Sequence, residues 1–241
     1  MAAPKSAPDA RATIDASHRH GHSLRDLDIR QALRLELGRF HIHDAQTVVV
    51  EELELCLNAA RVDLAVVNGR IEGFEIKSDR DRLDRLARQA EVYSRVFDRI
   101  TVVAGARHVA NVLDATPHWW GAAAAEREQG GQVRLRTVRA ATANPEQDPY
   151  SVAQLLWRDE ALRILDELEA LRGLRSKPLQ VLWQALADVL TLEELGARVR
   201  AAIIAREDWR VPLSSPAGDG SSQRRARSSG CRSDLPPHRR R

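Results

Sequence analysis

Cysteine is almost missing from this chain. Cys56 and Cys231 are the only two in 241 residues, and the second lies in a polar tail. A disulfide-stapled fold is excluded, and the cytoplasm is the expected location. No apolar run approaches the ~20 residues of a spanning helix, and the N-terminus lacks the apolar core of a signal peptide. Lysine is also scarce. Of the 37 basic residues 34 are Arg, a compositional bias that makes any single Arg a weak functional signal. Nor does the body of the chain carry an excess of positive charge. Residues 214–241 hold seven Arg against Asp219 and Asp234, a net of +5 within a chain total of +3, so the remainder is near −2. Any basic binding surface on the folded part must therefore be local.

What is present reads as an α/β chain between two polar tails. Residues 1–22 are rich in Ala, Pro, His and charge, and residues 212–241 in Ser, Gly, Pro and Arg; both have the composition of disordered segments. From Asp26 to Leu37, Leu27, Ile29, Leu33, Leu35 and Leu37 predict an amphipathic helix. Thr47 to Leu57 predicts a strand on which Leu53, Leu55 and Leu57 alternate with Glu52, Glu54 and Cys56. Asp63 to Lys77 predicts a hairpin around Asn68-Gly69. A helix is expected from Ser78-Asp79 to Phe97, an interior strand at Ile100 to Ala104, and a helix near Val109 to Leu113. A second hairpin, Gly121 to Ala125 with Val133 to Val138, turns at Gly130-Gly131. Residues 23–143 thus form one predicted domain with a mixed sheet flanked by helices. Beyond a linker at Asn144 to Pro149, residues 150–210 read as a helical subdomain: Val152 to Leu171, Leu179 to Leu190, and Leu192 to Trp209. Gly173 closes its first helix, Pro178 opens the second, and Thr191-x-x-Glu194 is a capping box for the third.

The chemistry concentrates in the first hairpin. Residues two apart on a strand face the same way, so Glu75 and Lys77 project together while Ile76 points to the other layer. Asp63 lies on the preceding strand. Two carboxylates and an ammonium on one sheet edge suit a hard divalent cation beside a water. Bringing Asp63 level with Glu75 makes a demand on the turn. A strict two-residue loop pairs Asp63 with Phe74 and puts the carboxylates on opposite faces. The register must shift by one residue, through a longer loop or a bulge at Gly69 or Gly73. Each charge alone has a plainer reading: a turn cap for Asp63, an exposed ion pair for Glu75 and Lys77. Their combination in this order favours a site.

Asp63 with Glu75-Ile76-Lys77 resembles the signature of the restriction-endonuclease-like PD-(D/E)XK nucleases, with Val62 in place of the usual Pro. Gln89-Ala90-Glu91-Val92-Tyr93 resembles the Gln-x-x-x-Tyr element of the branch related to the RecB nuclease domain. Residues 73–79, 81–86, 93–98, 117–121 and 155–158 resemble a narrower bacterial family of such proteins, and the likeness runs from Asp26 to Trp209. The resemblance implies a restriction-endonuclease-like core and a metal-dependent DNA phosphodiesterase acting in repair, recombination or defence, with RNA as the other candidate substrate. It implies Mg²⁺ or Mn²⁺ held by Asp63, Glu75 and the Ile76 carbonyl, with Lys77 activating the attacking water. Glu52 is the expected further acidic residue, with Glu51 and Glu54 as competitors. Gln89, Tyr93, Arg61, Arg82, Arg85 and Arg88 are the candidate nucleic-acid contacts. Trp119, Trp120, Trp157, Trp183 and Trp209 are expected in the core. The helical subdomain would position DNA, pair two copies or receive a protein partner. The rival reading is an inactive nucleic-acid-binding or adaptor protein on the same fold.

Overall fold

The computed structural model describes residues 23–41, 44, 46–206 and 209; both predicted tails lie outside the described residues. Helix α1 (Asp26–His41) begins with Asp26 and Asp28 and ends with Arg39 and His41, charges that complement the helix dipole. It buries Ile29, Leu33 and Leu37, a strict four-residue stripe. Leu27 and Leu35, expected on that face, are exposed. Each lies two residues, about 200°, from the stripe.

Strands β1 (Val48–Leu55), β2 (Ala60–Val67) and β3 (Ile71–Lys77) form an antiparallel meander. The predicted shift of register is present. Val67 pairs with Ile71 and Leu64 with Phe74, which leaves a three-residue loop of Asn68, Gly69 and Arg70. The Asn68 N–H donates to the Arg70 carbonyl at 3.0 Å and closes that loop. Gly73 sits in the regular ladder; its need for glycine is packing, because a Cβ there would lie 2.5 Å from Ile100 Cδ1. β3 then pairs in parallel with β4 (Arg99–Gly105), β4 in parallel with β5 (Gly121–Arg127), and β5 antiparallel with β6 (Val133–Arg139). The six strands stand in sequence order. Gly130 and Gly131, both at positive φ, make the β5–β6 turn.

Helix α2 is far shorter than predicted, Leu86–Tyr93. Ser78 and Asp79 do not start it. The Asp81 carboxylate accepts from both Ser78 N–H and Ser78 Oγ at 2.6 Å, while Asp79 is drawn to the chain before α1. Asp79 Oδ2 accepts from Leu24 N–H at 2.7 Å, and Asp79 N–H donates to Leu24 O at 3.1 Å. Such local and long-range side-chain bonds offer the backbone an alternative to helix. Gly105 makes room for this clamp, since a Cβ on it would stand 2.1 Å from Asp79 Oδ1. Gly105→Ala is therefore expected to cost about 1–3 kcal/mol through overpacking, read as a fall in the midpoint of urea unfolding.

A short 3-10 turn (Ala106–His108) leads into α3 (Val109–Ala115). The C-terminal region holds α4 (Pro149–Ala153), α5 (Arg158–Glu167), α6 (Leu179–Val189) and α7 (Leu192–Ala205). The single helix predicted over Val152 to Leu171 is two, broken at Trp157, whose N–H is taken by the Glu160 carboxylate at 2.7 Å. The Thr191–Glu194 capping box is present. These helices do not build a core of their own. Val152, Leu156, Ile164, Trp183 and Ile203 belong to one apolar cluster with Val62, Tyr93, Phe97 and Trp120 of the sheet side. Trp119, Trp120, Trp183 and Trp209 are buried in that cluster and Trp157 packs against it, as expected of core tryptophans. A second cluster joins α1 to the other sheet face through Leu64, Val66, Ile76 and Val103.

Candidate active site

The β2–β3 hairpin opens where the charges begin. The ladder ends at Leu64 and Phe74. One residue further on, the Asp63 carboxylate takes over the ladder's work: its Oδ2 accepts from Ile76 N–H at 2.7 Å. A strand residue's N–H and C=O point to the same edge, so the Ile76 carbonyl faces the same gap. By continuation of both registers Glu52, Asp63 and Glu75 stand side by side across β1, β2 and β3. The β1 pleat changes phase here. Val48, Val50, Leu53 and Leu55 all face the first core, and Glu52 between them adopts φ 55°.

Glu75 is 3% exposed and Lys77 8%. Lys77 Nζ donates to Glu75 Oε1 at 2.7 Å and to Gln89 Oε1 at 3.0 Å. The Gln89 amide donates to Glu75 Oε1 at 2.7 Å and to Tyr93 Oη at 3.1 Å. Tyr93 Oη lies 2.6 Å from the Arg61 carbonyl and 2.7 Å from Glu75 Oε2. One turn of α2 therefore locks Glu75 and Lys77 of β3. Tyr93 has a single hydroxyl proton, and the Arg61 carbonyl can only accept. The network is complete when Glu75 itself carries a proton and donates it to Tyr93. Burial, and then the neighbouring Asp63 charge, push the Glu75 pKa up in agreement with this count. Burial likewise pushes the Tyr93 hydroxyl well above its usual range.

A carboxyl whose folded pKa is raised stabilises the fold below its ordinary value of 4.5 and loses that contribution as pH rises through the folded value. Glu75→Gln imitates the protonated acid at every pH. The melting temperature of the wild type relative to this variant is expected to fall steadily as pH is raised from about 4.5, read by circular dichroism. A constant difference would contradict it.

The cluster opens onto a cleft of about 590 Å³ lined by Asp63, Glu75, Lys77, Gln89, Arg85 and Arg88, among others. Arg61 also lines it, while pairing with Glu52 at 2.8 Å. Arg82 does not: it is exposed and pairs with Asp84 at 2.9 Å. Tyr93 is fully buried and stacks on Trp120. It braces Glu75 and is not a surface for a base or phosphate, which corrects the expected contact role. Gln89 is half-buried and spends its amide on Lys77, Glu75 and Tyr93. Of the three competing glutamates, Glu51 is taken by Arg34 of α1 at 2.9 Å. Glu54 lines the cleft. Glu52 sits beside Asp63 with Arg30 and Arg61, its pKa raised by burial. Among the described residues no group of three or more His, Cys, Asp or Glu side chains is arranged to hold a metal ion.

Sequence reading missed Arg30. Its guanidinium reaches Asp63 Oδ1 at 2.7 Å, Asp26 at 3.1 Å and Glu52 at 3.3 Å. The Asp26–Arg30 spacing of four on a helix was the one local signal; the contacts to two strands are not visible in a linear pattern.

The molecule is thus a mixed α/β protein with a six-stranded sheet, and its third strand ends in a buried, interlocked Glu–Lys–Gln–Tyr cluster beside an aspartate. Residues 25–208 match the family described as Bacteriophage P4 protein cII, and the chain belongs to that family. It is 32% identical over 68 residues to Protein cII of Enterobacteria phage P4, an alignment of 28% of this chain and 26% of that protein. The matched segment thus spans about a quarter of the relative's length. A solved structure of a protein of unknown function from Silicibacter pomeroyi shares 21% identity, covering 64% of this chain and 97% of its own, with a TM-score of 0.38.

Proposed function

We propose that this protein is a divalent-cation-dependent DNA phosphodiesterase with a restriction-endonuclease-like core. The observation that carries the reading is the interlock of Glu75, Lys77 and Gln89 next to Asp63, at the point where the β2–β3 ladder stops and a cleft begins. A purely structural ion pair needs neither the splayed strands nor the cleft.

The donor set suits Mg²⁺ better than a metal that requires a full protein cage. Mg²⁺ keeps several waters and takes one or two carboxylates; Asp63, Glu75 and the Ile76 carbonyl are the residues that would hold it. Such an ion supplies charge stabilisation at the phosphate and a more acidic bound water. The chain's own residues do the rest. Lys77 presents an ammonium to the developing negative charge and orients the nucleophile. Gln89 fixes Lys77 and Glu75 in one geometry, and Tyr93 holds Glu75 from below. Arg61, Arg85 and Arg88 offer charge to the DNA backbone along the cleft wall.

One observation favours the second reading, an adaptor that binds nucleic acid without cutting it. Both Asp63 oxygens already have donors, Arg30 and Ile76 N–H, and both Glu75 oxygens are bonded within the protein. Calorimetric titration separates the two. The nuclease reading expects one divalent ion per chain, lost in Asp63→Asn, and weaker DNA binding in EDTA. DNA bound equally well in EDTA and by Asp63→Asn, with no ion taken up, identifies the adaptor.

A further inference from the structure

Arg30 is shared by three acidic side chains from three elements: Asp26 of α1, Glu52 of β1 and Asp63 of β2. Its Nη1 also donates to the Asp63 carbonyl at 3.3 Å. The Arg30 and Asp63 side chains are 16% and 20% exposed, so solvent screens this contact little. A guanidinium is not deprotonated in a protein. It therefore stays positive at any working pH. A fixed positive charge stands where Asp63 and Glu52 converge, and its fork pins Oδ1 while Ile76 N–H pins Oδ2.

We propose that Arg30 is the internal counter-cation of this site: a positioning residue that holds Asp63 against Ile76 and that an incoming divalent ion must push back. The inference rests on the reading above that Asp63 takes such an ion. It goes beyond that reading, because Arg30 sits on the opposite layer from Lys77, Gln89 and Tyr93 and is absent from the motif. Two consequences point in opposite directions. Without Arg30, Asp26 and Asp63 lose this shared cation and Glu52 keeps only Arg61, so a divalent ion binds more tightly. Without Arg30, Asp63 also loses one of its two anchors, so turnover falls. A residue that merely stabilised the fold would weaken both.

The test is Mn²⁺ binding by the full chain, followed by calorimetry and by the electron paramagnetic resonance signal of free aqueous Mn²⁺. The proteins compared are wild type, Arg30→Met, Arg30→Lys and the double variant Arg30→Met/Asp63→Asn. Arg30→Met is expected to bind Mn²⁺ about ten-fold or more tightly than wild type, a tenfold step being ~1.4 kcal/mol, and the double variant is expected to lose the gain. Arg30→Lys is expected to shift in the same direction by a smaller factor, because a lone ammonium cannot bridge three carboxylates. It carries the test if Arg30→Met does not fold. Wild-type binding with unchanged or weaker binding in Arg30→Met, or in Arg30→Lys where that stands in, overturns the role of Arg30 alone. No Mn²⁺ uptake by any folded variant overturns the cation-dependent reading and this inference together.

Discussion

Lys77→Ala is expected to reduce Mg²⁺-dependent DNA cleavage by about 10²–10³-fold, the usual cost of removing one preorganised charge-stabilising donor. The fold is expected to survive the change. Lys77 lies at the C-terminal end of β3, and its ammonium bonds only Glu75 and Gln89 among the described residues. When it is removed, Glu75 is not left as a bare buried anion. Burial and the Asp63 charge already push its pKa up, and loss of the Lys77 charge, which lowers it, pushes it further toward the neutral acid. The Gln89 amide and Tyr93 hydroxyl continue to hold it. Activity and stability should therefore separate: an unchanged far-ultraviolet spectrum and a small change in melting temperature, with cleavage nearly gone. A fall in both together would make Lys77 a structural residue.

A chain ending after Asn144 is expected not to fold, although residues 23–143 look self-contained in sequence. The supposed linker is structural. Asn144 Nδ2 donates to the carbonyls of Ser94 and Phe97 at 2.7 Å, Gln147 donates to Val96 O at 3.0 Å, and Asp148 N–H donates to Arg95 O at 3.0 Å. These groups cap the carbonyls that α2 leaves behind as the chain turns into β4. Beyond them, residues 149–209 supply nearly half the large side chains of the first core, among them Leu156, Ile164, Leu182, Trp183 and Ile203. Losing even one such side chain costs about 2–5 kcal/mol, against a total stability of about 5–15 kcal/mol. The truncated protein should lack a cooperative urea transition. A sharp transition, with dispersed amide resonances, would establish the first 144 residues as an independent unit.

The elements legible in the sequence are those fixed by local patterns. The alternation of β2 and β3 was local, and the wish to place Asp63 level with Glu75 demanded one extra loop residue; the Asn68–Arg70 loop supplies it. The interior strand β4 and the Gly130-Gly131 hairpin likewise announced themselves through an apolar run and a turn pair. The start of α2 was hidden because the competing bond is non-local: Asp79 meets Leu24, 55 positions away. The shared core of the C-terminal helices was hidden for a related reason. Amphipathic periodicity says that a helix buries a face, not which surface it buries that face against. At the site, strand spacing pairs Glu75 with Lys77 and helix spacing pairs Gln89 with Tyr93, and the family resemblance implies that the two pairs meet, as they do. Tyr93 reads as a candidate nucleic-acid contact through that resemblance, because the motif does not tell a buried brace from a ligand contact. Arg30 shows locally only its i,i+4 pairing with Asp26; its contacts at the site are to strands that follow it by more than twenty residues.

The most direct measurement is cleavage of a supercoiled plasmid by the purified full chain in Mg²⁺, with parallel reactions in EDTA and with Lys77→Ala. Nicked or linear product is expected from the wild type in Mg²⁺ and essentially none in the other two. Intact plasmid in Mg²⁺ and in Mn²⁺, from folded protein that still binds DNA, would contradict the nuclease reading.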